Sequence, residues 1–424
     1  MRISADNDRT GASSGTILGQ AIEKLQHQGL SDRLRHRGQI IATAAIRSDR
    51  WACLARFLQL ARRGFTLPVA HPSRFFTAPL LLSLLISCAP GGRLESAAHA
   101  ASVKHIAKAA EPTEPERPQP PANLLNAVQR LGEAFDGQVG ISVRDMDEGW
   151  TVSFNGDRLV PQQSVSKLWV AIAVMDAVDH GKLSLSDPVT VRRSDLTVFH
   201  QPIRPLVTKS GYRTTIGHLL KMALTRSANS CNDVLLWKVG GPKAIRAMLA
   251  RKGVDDVSFG PGERKLQAKT AGLEWRPEWA GGWGFLKARA AMPYAARNRA
   301  LKRYLAAPYD GASADGITRG LMLLKKGKLL SAGSTRHLLS LMRASRTGPL
   351  RLRSGLRDGW TLAHKTGTGQ ELGNLSTGYN DVGILVSPEG HRYAVAVMIA
   401  TTRVPIPTRM RLMGNVTRAI IRTD

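Results

Sequence analysis

The spacing of apolar residues between residues 123 and 424 predicts strands near both ends of this segment and helices between them. Helical spacing over 124–135 indicates an opening helix, and alternating residues over 138–143 and 150–154 indicate a hairpin. Further helices are predicted over 166–180, 215–224, 232–239, 241–252, 321–330 and 334–344. Three strands over 360–365, 381–387 and 392–401 and an amphipathic helix over 407–421 follow.

This order of elements predicts an α/β (α+β) fold with two lobes. The strands from both ends would form one antiparallel sheet, which the chain leaves and later rejoins. The intervening helices would form a separate lobe, and ligands commonly bind in the cleft between two such layers. We therefore look for the functional residues where the two lobes meet.

Residues 1–100 form a predicted N-terminal extension with an export signal. The apolar run over 78–90 is too short to span a bilayer and has the length of a signal-peptide core. Ala98-His99-Ala100 has the form of a signal-peptidase site, whereas Leu85-Ile86-Ser87-Cys88 resembles a lipobox that would lipidate Cys88. We slightly favour cleavage near Ala100. Because the signal lies far from Met1, we also expect translation to begin downstream, near Leu67 or Val69.

A proline-rich linker is predicted over residues 101–122, so the folded domain should cover 123–424. In the whole chain 43% of residues are apolar, which is enough to build a sizeable core. Of the three cysteines, Cys53 and Cys88 precede the mature domain and leave Cys231 unpaired, so we expect no internal disulfide. No cluster of Cys and His has metal-ligand spacing, and we expect neither metal nor cofactor.

The net charge of +28 favours anionic partners such as carboxylate substrates, acidic cell-wall polymers or phospholipid headgroups. An alkaline proteome would explain the same charge. No helix-turn-helix, zinc-finger or RNA-binding signature is present in the sequence, so we expect no nucleic-acid partner.

Ser164-Val165-Ser166-Lys167 places a serine and a lysine three residues apart at the start of a predicted helix. Residues at this spacing share one helix face, so the lysine amine can lie beside the serine hydroxyl. A hydroxyl needs an adjacent base to act as a nucleophile, and a buried lysine can lose its proton to become one. Alone, the spacing is more typical of a helix-start serine beside a surface lysine.

Two further motifs change this interpretation. Ser227-Ala228-Asn229 follows Ser164 by 63 residues, just after an apolar helix, and Lys365-Thr366-Gly367 follows Ser227 by 138 residues on a predicted strand. The order S-x-x-K, S-x-N, K-T-G resembles that of the penicillin-recognising serine hydrolases, and the segments SANSCNDVLLWKVGGPKAI and HKTGTGQ are most similar to class A β-lactamases.

The resemblance runs from about Asn123 to the C-terminus, and it implies a role for each motif residue. Ser164 would be acylated, and Lys167 would act as general base or proton relay. Ser227 would pass a proton to the β-lactam nitrogen. Asn229 would hold the amide of the substrate side chain.

The resemblance also assigns the third motif to substrate binding. Lys365 would support Ser227 and, with Thr366, bind the substrate carboxylate. Gly367 would allow the strand to approach the ligand closely. The backbone N–H groups of Ser164 and Thr368 would form the oxyanion hole.

The sequence departs from the family at the deacylating base, because the expected E-x-x-x-N pattern is absent. Glu263 lies 36 residues after Ser227 and is our candidate; an ordinary loop glutamate is the alternative interpretation. Glu274 and Glu278 are weaker candidates. The segment from Glu263 to Lys365 is longer than in the family, and its extra residues within 264–316 could reshape or cover this loop. Ala228 also replaces the usual aspartate of the second motif.

Four other residues are weaker candidates. Phe199 or His200 could wall the cleft, Arg403 could attract a carboxylate, and a structural role fits His364 better than a catalytic one. The leading hypothesis is an exported, periplasmic and monomeric serine β-lactamase. The alternatives are a cell-wall peptidase that acts on peptidoglycan stem peptides and deacylates slowly, and a non-catalytic β-lactam-binding module.

Overall fold

The computed structural model describes residues 118–424. The predictions for the export signal, its cleavage, Cys88 and most of the linker therefore lie outside the described residues. Between residues 118 and 424, no helix combines the length and the hydrophobicity needed to cross a membrane. Among these residues the first helix begins at Ala122, within one residue of the predicted start of the domain.

The helices lie mostly between the first and the last strands, as the sequence predicts. They are α1 (Ala122–Glu133), α2 (Lys167–Asp179), α3 (Ile216–Thr225), α4 (Asn229–Lys238), α5 (Gly241–Arg251), α6 (Glu263–Thr270), α7 (Trp283–Ala291), α8 (Tyr294–Ala306), α9 (Ala314–Lys325), α10 (Ala332–Arg343) and α11 (Ile406–Ile421).

The strands build one large antiparallel sheet and two small ones. They are β1 (Gly137–Asp145), β2 (Thr151–Phe154), β3 (Val160–Pro161), β4 (Pro188–Val191), β5 (Tyr212–Thr215), β6 (Gly311–Ala312), β7 (Thr361–Thr368), β8 (Glu371–Leu372), β9 (Leu375–Val386) and β10 (Arg392–Thr402). The large sheet has the order β2-β1-β10-β9-β7, with β8 paired to β9. Strands from both ends of the domain thus share one sheet, which confirms the predicted fold class.

The central strand β10 shows how the sheet separates two hydrophobic cores. Val395, Val397 and Ile399 pack with α1 and α11 on one face. The alternate residues Ala394 and Met398 face the helical lobe and its long core helix α2. Because successive side chains of a strand point to opposite faces, one apolar run supplies both cores. The second face places the sheet against the helices that carry the site.

Two predicted helices have the wrong bounds. α4 begins at Asn229 instead of residue 232, and α9 covers 314–325 instead of 321–330. Ser313 explains the earlier start of α9, since its hydroxyl accepts a hydrogen bond from the amide of Gly316 at 2.9 Å. Thr318, a polar residue inside α9, is buried against Ser142 of β1. The first part of α9 therefore contains polar residues whose hydrogen bonds are made within the fold, and the hydrophobic pattern did not predict it.

Residues 264–316, which the resemblance leads us to expect to be longer than in the family, are called the inserted segment. They contain most of α6 and all of α7 and α8, three helices that the sequence did not predict. A small aromatic core holds α7, with Trp279 and Phe285 buried at its centre. Their rings lie 5.9 Å apart in an edge-to-face arrangement, which is favourable for aromatic pairs. The segment is therefore a packed extension of the helical lobe.

The packing of α1 on the sheet yields a direct test of the fold. Leu124 is 1% exposed and Leu125 is 39% exposed on the same helix. We expect Leu124→Ala to lower the free energy of unfolding by about 2–5 kcal/mol, because it removes buried methyl groups and leaves a cavity. Leu125→Ala should change it by less than about 1 kcal/mol. Urea unfolding followed by circular dichroism measures both, and equal losses would contradict the assigned packing.

Candidate active site

Ser164 and Lys167 lie at the junction of the two lobes. Ser164 stands in a 3₁₀ turn over Gln163–Ser166, and Lys167 begins α2. The Lys167 Nζ atom donates to Ser164 Oγ at 2.9 Å and to Glu263 Oε2 at 3.0 Å. Lys167 is fully buried and Glu263 is 7% exposed, whereas Ser164 is only half-buried. A hydroxyl that substrate can reach thus shares one buried amine with a buried carboxylate.

The second and third motifs meet through a hydrogen bond. The Lys365 Nζ atom, fully buried on β7, donates to Ser227 Oγ at 2.9 Å and to the carbonyl of Thr366 at 2.8 Å. Ser227 has a φ of 55°, an unusual conformation for a residue with a side chain. Such strain costs about 1–3 kcal/mol and persists only where the surroundings enforce it.

Gly367 brings β7 directly against the turn that carries Ser164. A Cβ atom at Gly367 would lie 2.3 Å from the carbonyl oxygen of Gln162 and 3.3 Å from Val165. Only glycine permits this approach. The close contact that we predicted for a ligand is made here by the protein's own backbone. It places the first motif beside the third.

Asn229 is held by the loop that passes over the start of α4. Its side-chain Nδ2 donates to the carbonyl of Val198 at 2.9 Å, and its backbone amide donates to the carbonyl of His200 at 3.0 Å. The residue between them, Phe199, is exposed and packs edge-to-face on Phe285 of α7. Of the two predicted wall residues, His200 therefore contacts Asn229 through its carbonyl, and Phe199 packs on the inserted segment.

Two buried side chains fix the start of helix α6, which carries Glu263. The backbone amide of Glu263 donates to Asp233 Oδ1 at 2.9 Å. The side chain of Gln267, one helical turn later, donates to Glu263 Oε1 at 3.0 Å. Each carboxylate oxygen of Glu263 therefore has a donor, since Lys167 occupies the other one.

Three basic side chains, Lys167, Lys365 and Arg351, lie close enough together in the cleft to affect one another. Burial lowers the pKa of Lys365 well below its usual value, and the charges of Lys167 and Arg351 lower it further. Arg351 is buried and lies over the ring of Tyr379, with Nη2 donating to Thr368 Oγ1 at 2.7 Å. The carboxylates of Asp381 and Glu263 act in the opposite direction and favour the charged form of Lys365.

The weaker sequence candidates fall outside this constellation. Glu274 and Glu278 are both exposed, and Glu278 lies near Arg276. Arg403 is exposed and bonds to Asn374. His364 is fully buried, with Nδ1 placed 2.8 Å from Asp381 Oδ1, which agrees with the structural role suggested above.

Four residues of the site were not predicted from the sequence: Asp233, Gln163, Gln267 and Arg351. Asp233 lies in the segment SANSCND, which carries the family resemblance, and this place is the one sequence signal that could have identified it. Arg351 is one of many arginines in the chain, and no pattern singles it out. Across residues 118–424 no group of three or more His, Cys, Asp or Glu side chains could hold a metal ion.

The carboxylates of Asp233 and Glu263 are both buried and close together, so the free energy of unfolding depends on pH. Burial, and then the charge of Glu263, raise the pKa of Asp233 from 3.8 to about 6. The folded state therefore binds more protons than the unfolded state between these values, and Asp233 lowers stability as pH rises through them. Asp233→Asn removes this effect while keeping an oxygen for the amide of Glu263.

We expect the unfolding free energy of Asp233→Asn, relative to wild type, to increase from about pH 4 to about pH 7 and then level off. Urea unfolding at each pH measures this difference. Asp255→Asn, at an exposed carboxylate, is the control and should keep a constant difference. A flat difference for Asp233→Asn would contradict the assigned environment.

Known proteins are similar to this chain in sequence. A family model described as "Beta-lactamase enzyme family" matches residues 123–423. β-Lactamase VEB-1 of Pseudomonas aeruginosa is 24% identical over 297 residues, which cover 70% of this chain and 88% of the relative. The extended-spectrum β-lactamase PER-1 of the same species is 27% identical over 262 residues, covering 62% of this chain and 74% of that protein.

Solved structures agree with these matches. A β-lactamase from Chitinophaga pinensis superposes with a TM-score of 0.58 and 28% identity, over 70% of this chain and 98% of its own. The TLA-1 extended-spectrum β-lactamase shares the fold with the same TM-score at 23% identity, over 70% of this chain and 96% of its own. With the matched family model, these likenesses show that the chain belongs to the β-lactamase enzyme family, in its class A serine branch.

Proposed function

We propose that this protein hydrolyses the amide bond of β-lactams through an acyl-enzyme on Ser164. The observation that carries the proposal is the buried Lys167 amine, which bonds to both Ser164 Oγ and Glu263 Oε2. A nucleophile within hydrogen-bond reach of a base, which is itself oriented by a third group, is the arrangement that activates a hydroxyl.

In the acylation step, Ser164 Oγ attacks the β-lactam carbonyl carbon while its proton passes to Lys167, acting as base or relay toward Glu263. The carbon–nitrogen bond of the ring then breaks. Ser227 gives its proton to the departing nitrogen and takes one from Lys365, whose Nζ lies 2.9 Å away. Solvent then accepts the proton that reached Lys167 and Glu263 and returns one to Lys365, so Glu263 enters the next step as a carboxylate. Burial and neighbouring cations lower the pKa of Lys365, which helps it to release a proton.

In the deacylation step, Glu263 takes a proton from a water molecule, whose oxygen attacks the acyl carbon. The bond to Ser164 Oγ breaks, and the serine oxygen takes up the proton that Glu263 removed from the water, passed on through Lys167. The carboxylate is 7% exposed and is held at both oxygens, so its direction is fixed. Such a fixed base can contribute about a hundredfold or more to the rate.

The remaining motif residues would bind and orient the substrate. Lys365 and Thr366 bind its carboxylate, and Asn229 holds its side-chain amide. The backbone amides of Ser164 and Thr368 stabilise the oxyanion, which in acyl transfer contributes about 3–4 kcal/mol per donor. Gly367 lets β7 lie close enough to the turn for both amides to face one carbonyl.

The contact between Glu263 and Lys167 argues against the two alternative functions. A slowly deacylating cell-wall peptidase or a non-catalytic binding module has no need of a carboxylate buried beside the nucleophile's lysine at 3.0 Å. We further propose that the enzyme is exported, is cleaved near Ala100 and acts on small β-lactams as a periplasmic monomer.

The first test concerns the nucleophile. Ser164→Ala should reduce the hydrolysis of a chromogenic cephalosporin by at least about a thousandfold, because no acyl-enzyme can form. Mass spectrometry should find a penicillin adduct on the wild-type protein at Ser164 and none on the variant. Residual turnover near the wild-type rate, in a variant with unchanged circular dichroism, would refute the assignment.

The second test separates the two chemical steps. Glu263→Gln should still acylate but should deacylate about a hundredfold or more slowly, so the adduct accumulates. Glu274→Gln and Glu278→Gln are matched controls on the same segment, and both should turn over like wild type. Stopped-flow absorbance and mass spectrometry follow the adduct. Accumulation in a control variant, but not in Glu263→Gln, would assign the base to the other glutamate.

A further inference from the structure

Helix α8 of the inserted segment delivers a tyrosine to the back of the active site. Tyr304 is fully buried, and its hydroxyl donates to Asp310 Oδ1 at 2.7 Å. The same hydroxyl accepts a hydrogen bond from Gln163 Nε2 at 2.7 Å. Through the bond with Gln163, the Tyr304 hydroxyl therefore connects the inserted segment to the residue immediately before Ser164.

Gln163 needs such support because its backbone is strained. Its φ is 53°, a left-handed conformation that residues with a side chain rarely adopt. The backbone amide of Gln163 donates to Asp310 Oδ2 at 2.7 Å, so one carboxylate binds both this backbone amide and the Tyr304 hydroxyl. The direction of the following peptide, and with it the Ser164 amide, depends on this clamp.

The side chain of Gln163 extends the network to the proposed deacylating base. Gln267 Nε2 donates to Gln163 Oε1 at 3.2 Å and to Glu263 Oε1 at 3.0 Å. Gln370, from the loop after β7, donates to Gln267 Oε1 at 2.9 Å and fixes the orientation of that amide. Lys167 donates both to Glu263 Oε2 and to Ser164 Oγ, which links the base back to the nucleophile and closes a ring of contacts.

We propose that Tyr304, together with Asp310, is a positioning residue that holds Gln163 and thereby aligns the Ser164 amide and the Glu263 carboxylate at once. The inference rests on the proposed function, since it assigns Ser164 and Glu263 to the two steps. It gives the inserted segment a role in the rate of the reaction, beyond its packing in the helical lobe.

The protonation of the clamp favours this role. Burial and the adjacent Asp310 raise the pKa of Tyr304 well above its usual value, so its hydroxyl stays a donor. Burial raises the pKa of Asp310 to about 6, and the hydrogen bonds from Tyr304 and Gln163 oppose that rise. The titratable groups that face Asp310 are Tyr304 on α8 and Glu263 on α6, whose charge raises the pKa slightly more.

Tyr304→Phe tests the proposal, because it deletes one hydroxyl and keeps the buried ring. We expect deacylation of a penicillin adduct to slow by about tenfold, the effect of losing one hydrogen bond to a charged group. Tyr309→Phe is the matched control: its ring lies 5.7 Å from that of Tyr304, but it is 39% exposed. The control should deacylate at the wild-type rate.

The pH dependence provides a readout that lost stability alone would not change. Asp310 must be ionised to accept both bonds, so activity falls as pH drops through its pKa. Without the Tyr304 hydroxyl this pKa rises, and the acidic limb of the kcat/KM profile should shift to higher pH in Tyr304→Phe. An unmoved acidic limb, together with an unchanged deacylation rate, would overturn the proposal.

Gln267→Met provides a second test if Tyr304→Phe does not fold. It cuts the link to Glu263 but leaves the clamp on Gln163 intact, so deacylation should slow while acylation keeps its wild-type rate. Equal slowing of both steps, or of neither, would contradict the network. Wild-type protein that forms no adduct on Ser164 would instead reject the proposed function, which keeps the two failures distinguishable.

Discussion

A buried ion pair between Lys167 and Glu263 is the constraint on which the rest of the site depends. Removing two charges from water costs several kcal/mol per ion, and their attraction repays this only when the remaining hydrogen bonds are also made. Lys167 is fully buried, and its partner lies 3.0 Å away. Ser164 and Gln267 supply the remaining bonds, so the elements that carry them must converge on this pair.

The surrounding backbone meets this demand at the cost of local strain. Gln163 and Ser227 adopt left-handed conformations, and Gly367 lies too close to the turn before Ser164 for any side chain. Strain of this kind persists where tertiary contacts outweigh it, as they do through Asp310 for Gln163 and Lys365 for Ser227. These positions cluster around the nucleophile, where a fixed geometry matters most for catalysis.

The sequence predicted the sheet, most helices and the motif residues, because these depend on local patterns. Alternation along β10 and the S-x-x-K spacing are physical signatures that one chain can reveal. The start of α9 was not predicted because buried polar contacts determine it. The helices of the inserted segment were not predicted because their formation depends on aromatic packing. Glu263 was a candidate on spacing alone, and its burial beside Lys167 depends on tertiary contacts with Asp233.

The length of the inserted segment does not prevent Glu263 from being held in place. The number of residues between Glu263 and Lys365 affects the entropic cost of closing this loop, and that cost grows slowly with residue number. What the site requires is a fixed carboxylate, and Glu263 is held at its amide by α4 and at its side chain by Lys167 and Gln267. Helices α7 and α8 bury aromatic and aliphatic residues in clusters that also include Val198 and Leu372, and this burial opposes the entropy cost of ordering the segment. A longer loop can therefore keep the base in place while it brings new side chains, such as Tyr304, against the nucleophile's turn.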